Sequence, residues 1–296
     1  MVVKGATMAT KYAMPLAKRL RLSEYTVGFI IVAIISILPE TFISINASLN
    51  GQSAFGLGML LGSNIADLTL IFAIIIFLTG KKLKVESKIL KNYITYPLLL
   101  LLPLILGLNG HLSRPEGIAL IIAGGLFYYM SFKNGEKRTI PLNEEKNALK
   151  NFFMLLLSMV IMLIGSHFTV SSSTSLAYAL GVTPVLVGML VVGLGTTMPE
   201  FFFALKSIKR DDDSLAIGDI LGTVLADATI VIGILALVNP FFFPQRIIYV
   251  TGIFMILSSF VLFHFMRTGR SISKREGYML FLFWIIFVFV ELFLSK

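Results

Sequence analysis

Long apolar stretches separated by short polar, basic joints dominate the chain. Nine of them stand out: Tyr25–Leu49, Phe55–Thr79, Tyr93–Leu108, Gly117–Phe132, Asn151–Val170, Val182–Leu205, Leu215–Val238, Ile247–Met266 and Gly277–Leu294. A helix needs about 20 apolar residues to cross a bilayer. The pattern therefore predicts an all-α polytopic membrane protein of nine spans. The stretch Gly5–Ala17 reads as the shortened remnant of a tenth, with a first helix that is truncated as written.

Composition agrees. Only 14% of residues are charged and 56% are hydrophobic, whereas soluble domains carry about 25% charged residues. No cysteine is present, which excludes disulfides and thiolate metal sites. No cleavable signal peptide is evident.

A net charge of +9 could suggest nucleic acid, but its distribution argues against that. If the spans alternate sides, one set of joints is Lys18–Arg21, Lys81–Lys91, Lys133–Lys150, Lys206–Arg210 and Arg267–Arg275. These hold 20 of the 25 Lys and Arg residues; Lys4, Lys11, Arg114, Arg246 and Lys296 are the rest. Basic loops stay on the cytoplasmic side. The expected placement is the cell membrane, with basic loops inside and the C-terminus outside, and with lipid rather than nucleic acid as partner.

Residues 27–72 and 187–232 align without a gap at an offset of 160. Twelve positions are identical, among them Gly28/Gly188, Pro39/Pro199, Glu40/Glu200, Gly58/Gly218, Gly62/Gly222 and Asp67/Asp227. Ser36/Thr196 and Ser63/Thr223 share a hydroxyl. Chance likeness of two apolar helices would match Leu, Ile and Val, not two carboxylates and a proline. The copies begin after loops on opposite sides, so they run through the bilayer in opposite directions. The expected organisation is a first inverted repeat at 1–132, a cytoplasmic linker at 133–150 and a second repeat at 151–296. Each repeat has about five helices, with broken helices at the midplane. Inverted repeats suit transporters that expose one central site alternately to each side.

Glu40, Glu200, Asp67 and Asp227 all fall mid-span. Four uncompensated charges there would cost on the order of 10 kcal/mol even on mild scales. No Lys, Arg or His lies at matching depth in their four spans, which leaves bound cations, protonation or both. Pro39 and Pro199 each remove a helix hydrogen bond and free a carbonyl upstream, near Ile35–Ser36 and Gly195–Thr196. Carboxylate, hydroxyl and carbonyl oxygens suit Ca²⁺, and also Na⁺. The four-spaced glycines read as close helix packing. Ser63 and Thr223 could simply bond back to their own helices. Asp211–Asp213 reads as solvated surface, and Glu291 as a residue at the membrane interface.

These residues resemble a known family. Gly195-Thr196-Thr197-Met198-Pro199-Glu200 is similar to the G-T-S-L-P-E signature of the cation/Ca²⁺ exchanger superfamily. Gly218-Asp219-Ile220-Leu221-Gly222-Thr223, with Asp227, resembles its G-N-x-x-G-S…D signature. Ser36–Glu40 and Gly58–Ser63 with Asp67 are the first-half counterparts, and within the superfamily the chain resembles the prokaryotic Na⁺/Ca²⁺ exchangers. The resemblance implies ten helices and a Ca²⁺/Na⁺ antiporter, not an enzyme, that needs no cofactor and works as a monomer. It implies Glu40 and Glu200 as main Ca²⁺ ligands, assisted by Ser36 and Thr196 and completed by Asp67 and Asp227. Thr197, Ser63 and Thr223 would line Na⁺ positions. Four residues depart from the pattern: Ile37 for Ser, Met59 for Asn, Asp219 for Asn, which adds a further charge, and Asp67 for a frequent Asn. These departures leave Ca²⁺/H⁺ antiport open as the alternative. An intramembrane protease is the remote alternative: Ile217-Gly218-Asp219 faintly resembles a G-x-G-D motif, but residue 216 is Ala.

Overall fold

The computed structural model describes residues 24–86, 94–133 and 148–294, together with positions 1, 4, 5, 7, 8, 11 and 12. The Lys18–Arg21 joint, most of the Gly5–Ala17 stretch and most of the 133–150 linker lie outside the described residues.

The described chain is a helical bundle. Its helices are α1 (Gly28–Ser36), α2 (Leu38–Leu49), α3 (Ser53–Thr79), α4 (Thr95–Asn109), α5 (Arg114–Lys133), α6 (Ala148–Leu180), α7 (Pro184–Lys209), α8 (Asp213–Val238), α9 (Ile247–Arg270) and α10 (Lys274–Leu294). Helices α1 and α2 form one span bent by 41°, so each of the nine expected spans has its helix. Helix α4 is as short as its apolar stretch, whereas α6 runs well past the expected end at Val170 through a hydroxyl-rich run. It persists because Thr169, Thr174 and Ser175 donate to their own helix carbonyls at Gly165, Val170 and Ser171, which hides the polarity of those side chains.

Helices α3 and α8 are the centre, with 89% and 83% of their apolar windows buried; α5 and α10 are the periphery, at 28% and 22%. The outer helices turn Ile118, Ile122, Leu126, Leu282, Phe289 and Phe293 outward. Such a belt is costly in water and neutral in lipid.

The offset of 160 recurs in the structure. Widened π-turns open at Asp67–Ile71 in α3 and at Asp227–Val231 in α8, each beginning at an acid. A second pair lies at Val27–Val32 and Gly188–Val192. Contacts between the halves are exchanged in the same register. A Cβ on Gly62 would overlap the Met189 carbonyl, and one on Gly222 would overlap the carbonyl of Phe29, which is 160 residues before Met189. Gly28 meets Leu215 as Gly188 meets Phe55, and Gly218 meets Tyr25 as Gly58 meets Val185. Only glycine admits backbones this close.

The correspondence also continues beyond the block legible in the sequence. Ser113 and Ser273 open α5 and α10, and each N–H and hydroxyl donates to the glutamate three residues on, Glu116 or Glu276, at 2.6–2.7 Å. This is the capping-box arrangement. Two-residue ladders join the halves at their ends: β1 (Leu83–Lys84) pairs with β4 (Ser271–Ile272), and β2 (His111–Leu112) with β3 (Phe241–Phe242).

Candidate functional site

The two prolines determine the local geometry. Pro39 and Pro199 cannot donate to the helix ladder, and the chain turns at Ile37 and Thr197, where ψ opens to −5° from the regular helical value of about −42°. Each short turn then restarts as a helix with its glutamate in the first turn. Negative charge is favourable at that end of a helix. Ile37 and Thr197 still accept bonds from the restarted helices, from the Thr41 N–H at 2.9 Å and the Phe201 N–H at 3.0 Å.

The two breaks meet the central helices of the opposite halves. On the α7 side, the Cβ position of Gly193 lies 3.1 Å from Met59 O and Ser63 N of α3. On the α1 side, Ala33 abuts Gly222 of α8. Glu40, Glu200, Asp67 and Asp227 are consequently all buried, at 1% exposure or less. They share one electrostatic environment: Glu200 feels Glu40 and Asp67, and Asp227 feels Glu40 and Asp67. Among the described residues, none of their eight carboxyl oxygens has a hydrogen-bond partner.

The expected hydroxyl residues are buried alongside. Thr196 lies beside the Glu40 carboxyl and donates to Gly193 O at 2.9 Å. Thr197 donates to Leu194 O at 3.0 Å, and Ser63 to Leu60 O at 3.0 Å. Their protons are thus committed to their own helices, while oxygen lone pairs stay available to a cation. The Thr223 hydroxyl has no partner among the described residues. Ser36 departs from its counterpart Thr196: it reaches across the halves and donates to Asp219 Oδ1 at 3.1 Å. Among the described residues, no three Asp, Glu or His side chains converge as a ready-made metal cage. A cation held here would take hydroxyl and carbonyl oxygens as well as carboxylates.

Several polar residues were missed from the sequence. Asn64 is fully buried, with Nδ2 facing Met255 Sδ at 3.6 Å and Oδ1 unpartnered among the described residues. Its counterpart is Val224, so symmetry gave no signal. Tyr96 and Tyr128 brace α8 by donating to the carbonyls of Leu221 at 2.7 Å and Gly222 at 2.5 Å.

Glu291, near the end of α10, is covered by the packing: it accepts from Thr251 Oγ1 at 2.5 Å and pairs with the partly exposed Arg246 at 3.4 Å. A covered carboxylate needs such partners. The 211–213 run is only partly surface. Asp211 is exposed and pairs with Lys81 at 2.7 Å, whose ammonium holds it below the usual carboxylate range. Asp213 instead accepts from the Lys84 N–H at 2.8 Å.

The family pattern described as sodium/calcium exchanger protein matches residues 1–133 and 150–293. The chain belongs to the sodium/calcium exchanger family. Members of this family are transporters, not enzymes, so the protease reading falls away, and the chain is an integral membrane cation exchanger. It is 26% identical to the sodium/calcium exchanger MaX1 of Methanosarcina acetivorans, over 98% of this chain and 95% of that one. It is 28% identical to the inner membrane protein YrbG of Escherichia coli, over 81% of this chain and 77% of that one. Among solved structures, the sodium-calcium exchanger NCX_Mj soaked with Na⁺ and Sr²⁺ matches with a TM-score of 0.74. That match has 21% identity and covers 96% of this chain and 93% of that one.

Proposed function

We propose that this exchanger moves Ca²⁺ against Na⁺ by alternating access at the paired acids Glu40, Glu200, Asp67 and Asp227. The observation that carries this reading is the eight buried carboxyl oxygens without a hydrogen-bond partner among the described residues. Buried charge without partners is costly, and a divalent cation offsets two such charges at once. Glu40 and Glu200 are the main ligands, one from each half, with Asp67 and Asp227 completing the ring. Ser36, Thr196, Thr197, Ser63 and Thr223 add neutral oxygens, as hard cations require. The names of MaX1 and NCX_Mj, both sodium/calcium exchangers, support the ion pair.

The exchanged contacts of the glycine crossings support two halves at 1–132 and 151–296 joined by a 133–150 linker. The matching helices α1–α2 and α7 stand five spans apart along the chain, an odd number, which gives the two copies opposite orientations. Rocking one half against the other then opens the same acids to either side. Both halves of the site lie on one chain, so the unit of transport is the monomer. The basic joints face the cytoplasm and the C-terminus faces outward, following the positive-inside bias.

One observation favours H⁺ as the counter-ion instead. Ile37 supplies no hydroxyl where Thr197 does, while Asp67 and Asp219 are acids where the family pattern often has Asn. Fewer neutral ligands and more carboxylates suit a carrier of protons. Reconstituted vesicles decide between the two. Ca²⁺ uptake driven by an outward Na⁺ gradient at constant pH is the expected result; uptake driven only by a pH gradient would replace Na⁺ with H⁺.

A further inference from the structure

The two halves differ most at the pair Ser36 and Asp219. Ser36 corresponds to Thr196, and Asp219 to Met59. In one combination a hydroxyl meets a carboxylate across the halves; in the other Thr196 turns to its own Gly193 and Met59 offers no donor or acceptor of comparable strength. The difference is structural. Gly28, Gly218 and Gly222 draw α1 and α8 into backbone contact; a Cβ on Gly28 would sit 3.0 Å from the Asp219 N. That approach places Ser36 on Asp219 although they are 183 residues apart in sequence.

Asp219 is fully buried and Ser36 is 2% exposed. Asp219 Oδ1 accepts from Ser36, while Oδ2 has no partner among the described residues. The carboxylate lies within electrostatic reach of Asp67 and Glu200. It is therefore a fifth acid, beside the four that form symmetric pairs. A divalent ion between the paired glutamates balances only two of these charges. The remaining negative charge and the free Oδ2 suit a further hard cation of low charge.

We propose that Asp219, with the Ser36 hydroxyl that it shares with the paired acids, holds a further Na⁺-type monovalent cation position, beside the paired acids and present at only one of the two crossings between the halves. Asp219 Oδ2 supplies the charged ligand, and the Ser36 hydroxyl oxygen supplies a neutral one. This position rests on the reading of the paired acids as a cation site, because their charge makes an additional cation favourable. It makes the exchanger asymmetric: the α1–α8 contact carries an ion that the mirror contact, α7 on α3, does not.

The test counts bound Na⁺ on the purified full-length chain by equilibrium dialysis with radiolabelled Na⁺, for the wild type and Asp219→Asn. The substitution is nearly isosteric, and its amide oxygen still accepts from Ser36, so packing is retained. The expected result is one fewer Na⁺ per chain at saturation. A Ser36→Ala variant keeps the carboxylate, and is expected to weaken that ion several-fold with the count unchanged. An unchanged Na⁺ count and affinity in Asp219→Asn overturns the position, as does a wild-type chain that binds no Na⁺. Failure of the underlying reading shows elsewhere, as a Glu200→Gln variant that keeps full Ca²⁺ binding.

Discussion

Gly222 and the carbonyl of Phe29 occupy adjoining space so tightly that any Cβ on the glycine would overlap the oxygen. This crossing of α8 over α1, with its counterpart between Gly62 and Met189, brings the two broken helices onto the two central ones. The site acids are buried together because backbones can touch there.

The crossing predicts how the fold responds to one methyl group. Gly222→Ala and Gly62→Ala each force backbone apart, and overpacking of this kind costs about 1–3 kcal/mol. Melting in detergent should fall clearly for both. Gly125, exposed on α5 with nothing near its Cβ position, is the control. Gly125→Ala should hold or raise stability by up to about 1 kcal/mol, since alanine is the better helix former. Equal melting temperatures for all three would refute the tight crossing.

The second prediction concerns Glu291. Thr251→Val deletes the hydroxyl that donates to Glu291 Oε1 at 2.5 Å and leaves a buried carboxyl short of a donor, at a cost of about 1–3 kcal/mol. Glu291→Gln retains an acceptor for Thr251 and should destabilise less. Thermal unfolding of both variants checks the order, and a silent Thr251→Val would remove that bond from the account.

Ile37 gives a third. It sits at the first-half break, 6% exposed, where its counterpart Thr197 carries a hydroxyl. Ile37→Ser restores a neutral oxygen beside Glu40. If Na⁺ coordination is limited there, the Na⁺ concentration for half-maximal Ca²⁺ exchange should fall several-fold. An unchanged Na⁺ dependence would mean that position 37 does not face an ion.

The surface pair Lys81–Asp211 gives a pH prediction of the opposite kind. The lysine holds the Asp211 carboxyl below its usual range, so the pair's contribution is present at neutral pH and is lost as pH falls through that lowered range. Both side chains are more than half exposed, where ion pairs contribute little. Lys81→Ala should leave the melting temperature and its pH dependence nearly unchanged; a marked drop would show that the pair anchors the α7–α8 joint.

The spans were legible because lipid demands long apolar windows, and Glu40/Glu200 and Asp67/Asp227 because charge at a fixed offset cannot be chance packing. Features that break the symmetry were harder to read. Asn64 stands opposite Val224 and sends no repeat signal. The Ser36–Asp219 bond depends on a glycine crossing that no local pattern reveals, so the sequence showed the added charge without its partner. Glu291 reads as interfacial by its place near the end of a span, but its cover by Thr251 and Arg246 depends on the packing of α10 on α9, which no local pattern reveals. The repeat itself reaches further than the 27–72 block. Ser113–Glu116 and Ser273–Glu276 keep the same cap geometry, but the segments between are too divergent for direct comparison to connect them.

The most direct test of the central claim is Ca²⁺ flux in reconstituted vesicles with Glu40→Gln and Glu200→Gln, each folded as judged by its melting profile. Each substitution removes one charged oxygen ligand at almost constant volume. Both variants are expected to lose Ca²⁺ exchange under a Na⁺ or a pH gradient. Full Ca²⁺ exchange in either variant would contradict the assignment of the paired carboxylates as the transport site.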